Sequence, residues 1–237
     1  MLDKAYKLSV IIPVYNEQDT IIPILTKIHE QRIDDVELEI IVIDDGSTDN
    51  SLNLLKNNNH LYSKLVQQKN NTGKGGAVKE GLKIATGNYI LFQDADLEYD
   101  PSDYERLLLP IKKFNADLVI GSRLIAPPLT RVHYFWNKKG NEIITTIFNF
   151  LNNTTFTDIY TGYLIYRKNL IDPNKLKTVG WEQQAEILSK IVKTARVYYE
   201  VPISYYGRTY EEGKKIRPKH VIGIILAMIR ERLGINT

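Results

Sequence analysis

The feature that most constrains the fold is a repeated alternation of short apolar runs and helical patterns in the first 121 residues. The apolar runs are unbroken by polar residues, which is typical of strands that helices cover on both faces of a parallel sheet. Repeated strand–helix units therefore predict an α/β fold with a doubly wound, mostly parallel sheet. The predicted strands are Leu8–Tyr15, Leu38–Asp45, Lys64–Gln68, Tyr89–Asp94 and Asp117–Ser122, and the predicted helices are Gln18–Gln31, Thr48–Asn58, Ala77–Ala85 and Ser102–Phe114.

The second half of the chain follows this rhythm less closely. Strands are predicted at Leu164–Lys168 and Ala195–Tyr205, with a helix at Trp181–Val192 between them. Trp136–Leu151 reads as an amphipathic helix, and His220–Leu233 as an apolar one that suits a membrane surface, its own core or a second subunit. No run reaches the roughly 18 apolar residues of a membrane span, and the N-terminus lacks the layout of a signal peptide. We therefore expect no transmembrane segment.

Composition limits which metals the chain can bind and indicates the charge of its partners. The chain has no cysteine and four scattered histidines, so a metal would have to be held mainly by oxygen, and zinc is disfavoured. Residues 1–118 carry 13 Lys and Arg against 19 Asp and Glu, whereas residues 119–237 carry 18 against 9. An acidic first half and a basic second half suit a protein that binds a cation and an anionic partner, although chance asymmetry of solvated faces would look the same.

Polar residues follow the predicted strands where each one ends. These endings read "PVYNE", "DDGSTD", "QDADLE" and "GSR". In doubly wound sheets the ligand lies beyond the carboxyl ends of the strands. The chemistry-bearing residues are therefore expected to gather at one edge of the sheet.

The acidic segment "QDADLE" carries Asp94, Asp96 and Glu98 at alternate positions. On an extended strand these carboxylates would share a face and repel one another. Mg²⁺ or Mn²⁺ would relieve that repulsion, because both prefer carboxylate oxygens and leave positions open for phosphates. Asp100, next to Pro101, reads as a turn or capping residue.

The glycine-rich segment "NTGKGG" carries Lys74 ahead of a helix. A helix N-terminus with a nearby lysine attracts anions, but the Gly-x-x-x-x-Gly-Lys-Ser/Thr pattern of a phosphate loop is absent. A purely structural turn explains the glycines nearly as well.

Five motifs in this order resemble the inverting GT-A glycosyltransferases of family 2, nearest to the dolichyl- or polyprenyl-phosphate sugar synthases. They are "IIPVYNE", "DDGSTD", "GKGGAVKEGLKIATG", "DADLE" and "GSR", and the likeness continues through "TGYLIYRKNLI" and "EVPISYYGRTYEEGKKI" over about residues 7–217. The resemblance implies a Rossmann-like GT-A domain over residues 1–217, with a nucleotide-sugar-binding half (1–121) and an acceptor-binding half (122–217). Residues 218–237 would form a C-terminal amphipathic helix.

The resemblance also implies roles for individual residues. Catalysis falls to Asp96, Arg123 and Glu182, and the divalent ion to Asp96, Glu98 and Asp94. Arg123, Arg208 and Lys214 would serve anionic groups of donor and acceptor. The residues expected to bind the nucleotide sugar are Pro13, Tyr15, Glu17, Ile43, Asp45, Lys74, Asp94, Ala95, Arg208 and Lys214.

One departure from the family bears on the acceptor. Where many relatives place an acidic general base, this chain has Gln183 and Gln184, which cannot take a proton at neutral pH. A phosphate acceptor is already anionic and needs no base, whereas a hydroxyl does. Glutamine therefore favours a phosphate acceptor, unless Glu182 or Glu186 supplies the base.

Together these features predict transfer of a hexose from a nucleotide sugar to a polyprenyl phosphate. The resemblance, through family frequency alone, implies UDP-glucose as donor before GDP-mannose. The resemblance implies Mg²⁺ or Mn²⁺ as cofactor and a cytoplasmic enzyme that binds peripherally to a membrane surface. We expect no nucleic-acid partner, and the C-terminal helix could form a homodimer. Transfer to a hydroxyl of diacylglycerol, a glycan or a protein is the alternative. A non-catalytic nucleotide-sugar-binding protein is a second, and a nucleotidyltransferase is disfavoured because its glycine-rich loop near the first strand is missing.

Overall fold

A computed structural model describes residues 6–125, 135–208 and 220–234. Seven strands form one sheet in the order β3-β2-β1-β4-β6-β5-β7. The strands are β1 (Tyr6–Val14), β2 (Val36–Asp44), β3 (Lys64–Gln67), β4 (Tyr89–Phe92), β5 (Leu118–Ser122), β6 (Leu164–Arg167) and β7 (Tyr198–Pro202). The helices are α1 (Ile21–His29), α2 (Ser51–Asn57), α3 (Lys74–Ile84), α4 (Tyr104–Phe114), α5 (Phe135–Asn152), α6 (Gln183–Thr194) and α7 (His220–Leu233).

The sheet is mostly parallel, as the apolar runs predict. β1 pairs in parallel with β2 and β4, β2 with β3, and β5 with β7. β6 is the exception, because it runs antiparallel between β4 and β5. This strand joins the two predicted halves of the chain in a single sheet.

Helices cover both faces of the sheet, which explains why the central strands are apolar at every position. Side chains of α1, α2 and α4 pack on one face, and those of α3, α5, α6 and α7 pack on the other. In β1, Ile12 belongs to the first layer and Ile11 to the second, and both are fully buried. The predicted strands and helices are all present, with ends that differ by a few residues.

Two of the helix starts that differ from the sequence-based expectation have a clear physical reason. α1 begins at Ile21, because the N–H groups of Thr20 and Ile21 both bind the Glu17 carbonyl in a preceding turn. α3 begins at Lys74 rather than Ala77. Glycine disfavours helix, but a Cβ on Gly75 would collide with the Val179 backbone and one on Gly76 with the Thr72 side chain, so the packing here requires glycine at both positions.

The C-terminal helix α7 packs against α5 and α6 through buried Ile224 and Met228. Its outer face leaves Ile222, Leu226 and Leu233 exposed. Within the described residues, no helix has both the length and the apolar character of a membrane span.

Candidate active site

The predicted polar residues gather beyond the carboxyl ends of β1, β2 and β4. Tyr15 and Glu17 follow β1, Asp45 follows β2, and Asp94 and Asp96 follow β4. This edge faces Arg208 from the far end of the described chain, 191 positions after Glu17. The sheet therefore brings together side chains of opposite charge from both halves of the sequence.

The acidic segment leaves the sheet immediately before its first carboxylate. β4 ends at Phe92, and the fully buried Gln93 carboxamide accepts hydrogen bonds from the hydroxyls of Tyr104 and Tyr163, both at 2.8 Å. Leu97 has a φ of 62°, a left-handed conformation uncommon outside glycine. The segment is a turn, so the expectation of three carboxylates sharing one strand face is wrong.

The protein's own cations hold the two aspartates of this turn. The ammonium nitrogen of Lys74 lies 2.5 Å from Asp94 Oδ1. The guanidinium of Arg208 lies 3.7 Å from Asp96 Oδ2 and 3.1 Å from Glu17 Oε2, and its Nε donates to the Asp96 carbonyl. Lys74 and Arg208 thus supply positive charge that offsets the repulsion between the carboxylates of this segment.

Glu98 faces a different set of groups. Its carboxylate accepts hydrogen bonds from the Tyr205 hydroxyl at 2.7 Å and from the Arg208 backbone N–H at 2.8 Å. Across residues 6–125, 135–208 and 220–234, no three His, Asp or Glu side chains are grouped as a metal site. The structure therefore does not bring Asp94, Asp96 and Glu98 together as a ready-made cage.

The donor set nevertheless fits a hard divalent cation. Mg²⁺ is commonly held by one or two carboxylates together with substrate phosphates rather than by an all-protein cage. Asp94 and Asp96 are part-exposed at the cleft and offer such oxygens. A metal would have to compete there with Lys74 and Arg208, which pair with these aspartates in the structure.

Three of the predicted nucleotide-binding residues have buried side chains. Ile43 is in the core against α3, and Ala95 is almost fully buried. Asp45 is 2% exposed, and its carboxylate accepts from the backbone N–H groups of Thr72 and Gly73. In this structure Asp45 holds the glycine-rich loop in place, while Pro13 and Tyr15 remain more accessible at the end of β1.

The glycine-rich segment packs against the loop at Val179 and does not form an open site for a phosphate. The N–H of Gly76 donates to the Val179 carbonyl, and a Cβ built on Gly75 would lie 2.6 Å from Val179 backbone atoms. Only glycine permits so close an approach. Of the two readings of these glycines, the structural one fits the contacts.

Arg123 is occupied by a buried ion pair. Its Nε and Nη2 bind the two oxygens of Asp158 at 2.7 and 2.9 Å, and its guanidinium lies 4.9 Å from the Tyr205 ring centroid. Asp158 is fully buried and also accepts from Asn141 of α5. Burial alone would raise the pKa of Asp158, but Arg123 outweighs it and lowers that pKa. These contacts give Arg123 a structural partner, where the resemblance implied an anionic ligand.

The start of α6 places the two glutamines and the two candidate bases, Glu182 and Glu186, in different surroundings. Gln183 donates to the carbonyls of Gly75 and Thr178, and Gln184 to those of Ile159 and Thr161. Glu186 is 1% exposed and is bound by the N–H groups of Lys177 and Thr178. Glu182 is part-exposed and makes no capping hydrogen bond, so it is the carboxylate of this group that a substrate could reach.

Lys214 lies outside the described residues, so its role stays a prediction. The structure adds side chains that the sequence did not single out, namely Gln93, Asp158, Gly162, Trp181 and Tyr205. Gly162 packs against the segment so closely that a Cβ there would lie 2.9 Å from Asp94 Oδ2. Trp181 stacks under Lys74, with 5.6 Å between the ammonium nitrogen and the ring centroid. Gln93, Gly162 and Tyr205 lie within segments quoted in the sequence analysis, but the contacts of all five residues depend on tertiary packing, which the sequence does not show.

The family model described as "Glycosyl transferase family 2" matches residues 9–173. The chain is 28% identical over 216 residues to a dolichol-phosphate mannosyltransferase of Pyrococcus furiosus, covering 89% of this chain and 60% of that protein. It is 26% identical over 219 residues to an undecaprenyl-phosphate 4-deoxy-4-formamido-L-arabinose transferase of Proteus mirabilis, covering 90% and 64%. The chain thus spans about three fifths of the length of these curated relatives.

The fold is also similar to that of a solved glycosyltransferase. Glucosyl-3-phosphoglycerate synthase of Mycobacterium tuberculosis, crystallised with Mn²⁺, UDP and glucosyl-3-phosphoglycerate, superposes with a TM-score of 0.69 at 19% identity. The match covers 98% of this chain and 81% of that one. At this identity the likeness concerns the fold, and it confirms the predicted GT-A architecture.

Proposed function

Because the chain belongs to glycosyl transferase family 2, we propose that it transfers a hexose from a nucleotide sugar to a polyprenyl phosphate at a membrane surface, with inversion at the anomeric carbon. The observation that carries the proposal is the charge arrangement at the sheet edge, where Lys74, Arg208, Asp94 and Asp96 face one another. Both named relatives are transferases whose names contain a polyprenol-type phosphate.

The residues of this edge would act mainly by positioning and by charge neutralisation, which supply much of the catalysis in group transfer. Tyr15 and Pro13 would line the nucleotide, and Lys74 and Arg208 would turn from the aspartates toward the diphosphate. A divalent cation held by Asp96 and Asp94 supplies Lewis-acid stabilisation of the leaving diphosphate when bound. Arg208 suits phosphate because a guanidinium can make two parallel hydrogen bonds.

The proposed acceptor follows from the groups at the start of α6. The side-chain amides of Gln183 and Gln184 are bound to backbone carbonyls, and the Glu186 carboxylate is bound by N–H groups. None of the three is placed to take a proton from an acceptor. An acceptor that is already anionic removes that need, whereas the accessible Glu182 keeps a hydroxyl acceptor as the second candidate.

Replacing Glu182 by glutamine is expected to change the transfer rate by less than about threefold if the acceptor is a phosphate, because no proton has to be removed. A loss of about 100-fold or more, the usual contribution of a general base, would instead identify a hydroxyl acceptor. Steady-state rates with a polyprenyl phosphate and with a diacylglycerol would distinguish the two.

The proposed donor is UDP-glucose, with GDP-mannose next. Neither the base nor the sugar is fixed by the contacts described above, so a panel of nucleotide sugars with Mn²⁺ tests the donor directly. Release of the nucleoside diphosphate should be fastest with one donor and should require the lipid acceptor. Equal, slow release from every donor would contradict the proposal, and nucleotide-sugar binding without any turnover would favour a non-catalytic protein.

Two helices carry a stripe of exposed apolar side chains that could hold the protein on the membrane that contains the proposed acceptor. On α5, Trp136, Ile143 and Phe150 are 78%, 56% and 87% exposed and recur every seven residues, so they share a face. On α7, Ile222, Leu226 and Leu233 are exposed beside Arg230 and Arg232. Apolar side chains flanked by basic ones are typical of helices that lie in the surface of an anionic membrane.

Changing Ile222, Leu226 and Leu233 together to serine is expected to lower partitioning onto anionic vesicles by at least about tenfold, because each side chain contributes apolar burial in the lipid. Removing α7 altogether would be a poorer test, since its buried Ile224 and Met228 belong to the core. Leu109→Ser, an exposed apolar position on the other helical layer, is the matched control. If the triple variant still partitions onto vesicles but no longer forms a dimer in light scattering, these three side chains bind a second copy of the chain instead of the membrane.

A further inference from the structure

Glu186 is a buried carboxylate that the proposed reaction leaves without a chemical task. It is 1% exposed, and its oxygens accept from Lys177 N–H at 3.0 Å, Thr178 N–H at 2.9 Å and the Thr178 hydroxyl at 2.6 Å. A carboxylate that accepts several backbone hydrogen bonds fixes the segment that donates them. Glu186 therefore holds the beginning of the 177–181 loop.

Three further hydrogen bonds hold the same loop. The Gln183 side chain donates to the Thr178 carbonyl, and Gly76 at the start of α3 donates to the Val179 carbonyl. The Tyr160 hydroxyl donates to the Trp181 carbonyl. The loop is thus clamped between the N-termini of α3 and α6, and its end carries Trp181 into the cleft.

Trp181 connects this loop to the acidic turn. Its ring lies 5.6 Å from the Lys74 ammonium, which in turn lies 2.5 Å from Asp94. An ammonium over an indole is attracted by the ring and loses part of its freedom to move. The position of Trp181 therefore limits where Lys74 can place its charge.

We propose that Glu186 is a positioning residue, whose buried carboxylate fixes the 177–181 loop so that Trp181 holds Lys74 against Asp94 at the donor side of the cleft. Lys190 extends the network outward, because its ammonium lies 3.5 Å from Glu186 and 2.8 Å from Glu231 of α7. The inference deepens the proposed function, but its main test does not depend on activity.

The test uses the two tryptophans of the chain. With Trp136→Phe as background, Trp181 is the single tryptophan, and its fluorescence reports the loop. Lys74→Met should change the emission of Trp181, because the ammonium leaves the ring. In a Glu186→Ala background the same Lys74→Met change should have less than about a third of that effect, since the ring no longer stands under residue 74.

Glu186→Gln keeps the shape of the side chain, so it serves as a second variant if Glu186→Ala does not fold. It should weaken the coupling between Lys74 and the Trp181 emission. It should also raise the Kd for UDP about tenfold, because a charge-assisted hydrogen bond is lost. Glu80→Gln, which alters an exposed carboxylate paired with Lys83 on α3, is the matched control and should leave the Trp181 response intact.

An equal Lys74→Met response with and without Glu186, in folded proteins, would overturn the inference. So would a fall in kcat of about 100-fold with an unchanged Trp181 signal and a lost limb of the pH–rate profile, because that result would make Glu186 a general base. If the proposed function itself is wrong, the unmodified chain will show no hexose transfer. The fluorescence comparison would still measure whether Glu186 positions Trp181 beside Lys74.

Discussion

Asp96→Ala is expected to lower metal-dependent hexose transfer by about a thousandfold or more. In the proposed mechanism Asp96 would hold the divalent cation at the diphosphate. A cation at a leaving diphosphate contributes several kcal/mol to the transition state, which corresponds to three or more powers of ten in rate. The variant should also lose the dependence of the rate on Mn²⁺ concentration. Steady-state kinetics over a range of Mn²⁺ concentrations measures both effects.

Asp100→Asn is the matched control for this prediction. Asp100 lies in the same acidic segment, but its carboxylate caps the N–H of Ser102 and pairs with Lys27. We expect a transfer rate close to that of the unmodified protein and a stability loss of about 1 kcal/mol or less. A rate close to normal in Asp96→Ala would contradict the metal role and leave Asp96 as a partner of Arg208 alone.

Arg123→Ala is expected to cost about 3–5 kcal/mol in the free energy of unfolding, since it leaves the fully buried Asp158 without its cation. Arg123→Lys should rescue little, because an ammonium cannot reproduce the two parallel hydrogen bonds to Asp158. Urea unfolding at neutral pH measures both values. Activity should fall only as far as the folded fraction falls.

Arg167→Met provides the comparison, because Arg167 also pairs with an aspartate, Asp117, at 2.8 Å, but both partners are part-exposed. A surface pair of this kind contributes at most about 1 kcal/mol. If Arg123→Ala instead left the protein stable and reduced kcat/KM by orders of magnitude, Arg123 would be a ligand of an anionic group, as the sequence resemblance implied.

The strands and the position of the site could be predicted from sequence because both depend on local pattern. β1 and β2 are apolar at consecutive positions since helices cover both of their faces, and parallel strands place their polar endings at one edge. The glycines at 75 and 76 are also visible in the sequence. The reason for glycine at 75 is not, because it lies in the backbone of Val179, more than 100 positions away.

The partners of the charged residues could not be predicted in this way. Asp96 meets Arg208 112 positions later, and Arg123 meets Asp158 35 positions later, so both contacts depend on tertiary packing. The alternation of acids from Asp94 to Glu98 suggested an extended strand, but buried Gln93 and the left-handed Leu97 turn the chain first. Local spacing cannot reveal such a turn, because leucine seldom adopts that conformation.

The acidic and basic halves of the chain meet at the cleft, where Arg208 contacts Glu17 and Asp96. This arrangement gives the proposed order of events a physical basis. In the proposed mechanism the cations would neutralise the carboxylates until an anionic donor binds, and they would then become available to its phosphates. Exposed apolar faces of α5 and α7 would hold the chain where a lipid acceptor is found.

Identification of the product tests the central claim most directly. The chain would be incubated with Mn²⁺, the preferred nucleotide sugar and vesicles that contain either a polyprenyl phosphate or the corresponding polyprenol, and the lipids would be analysed by mass spectrometry and NMR. We expect a hexosyl phosphate of the polyprenol, with the anomeric configuration inverted relative to the donor, and no product from the polyprenol. Transfer to the polyprenol, or a product with retained configuration, would contradict the account.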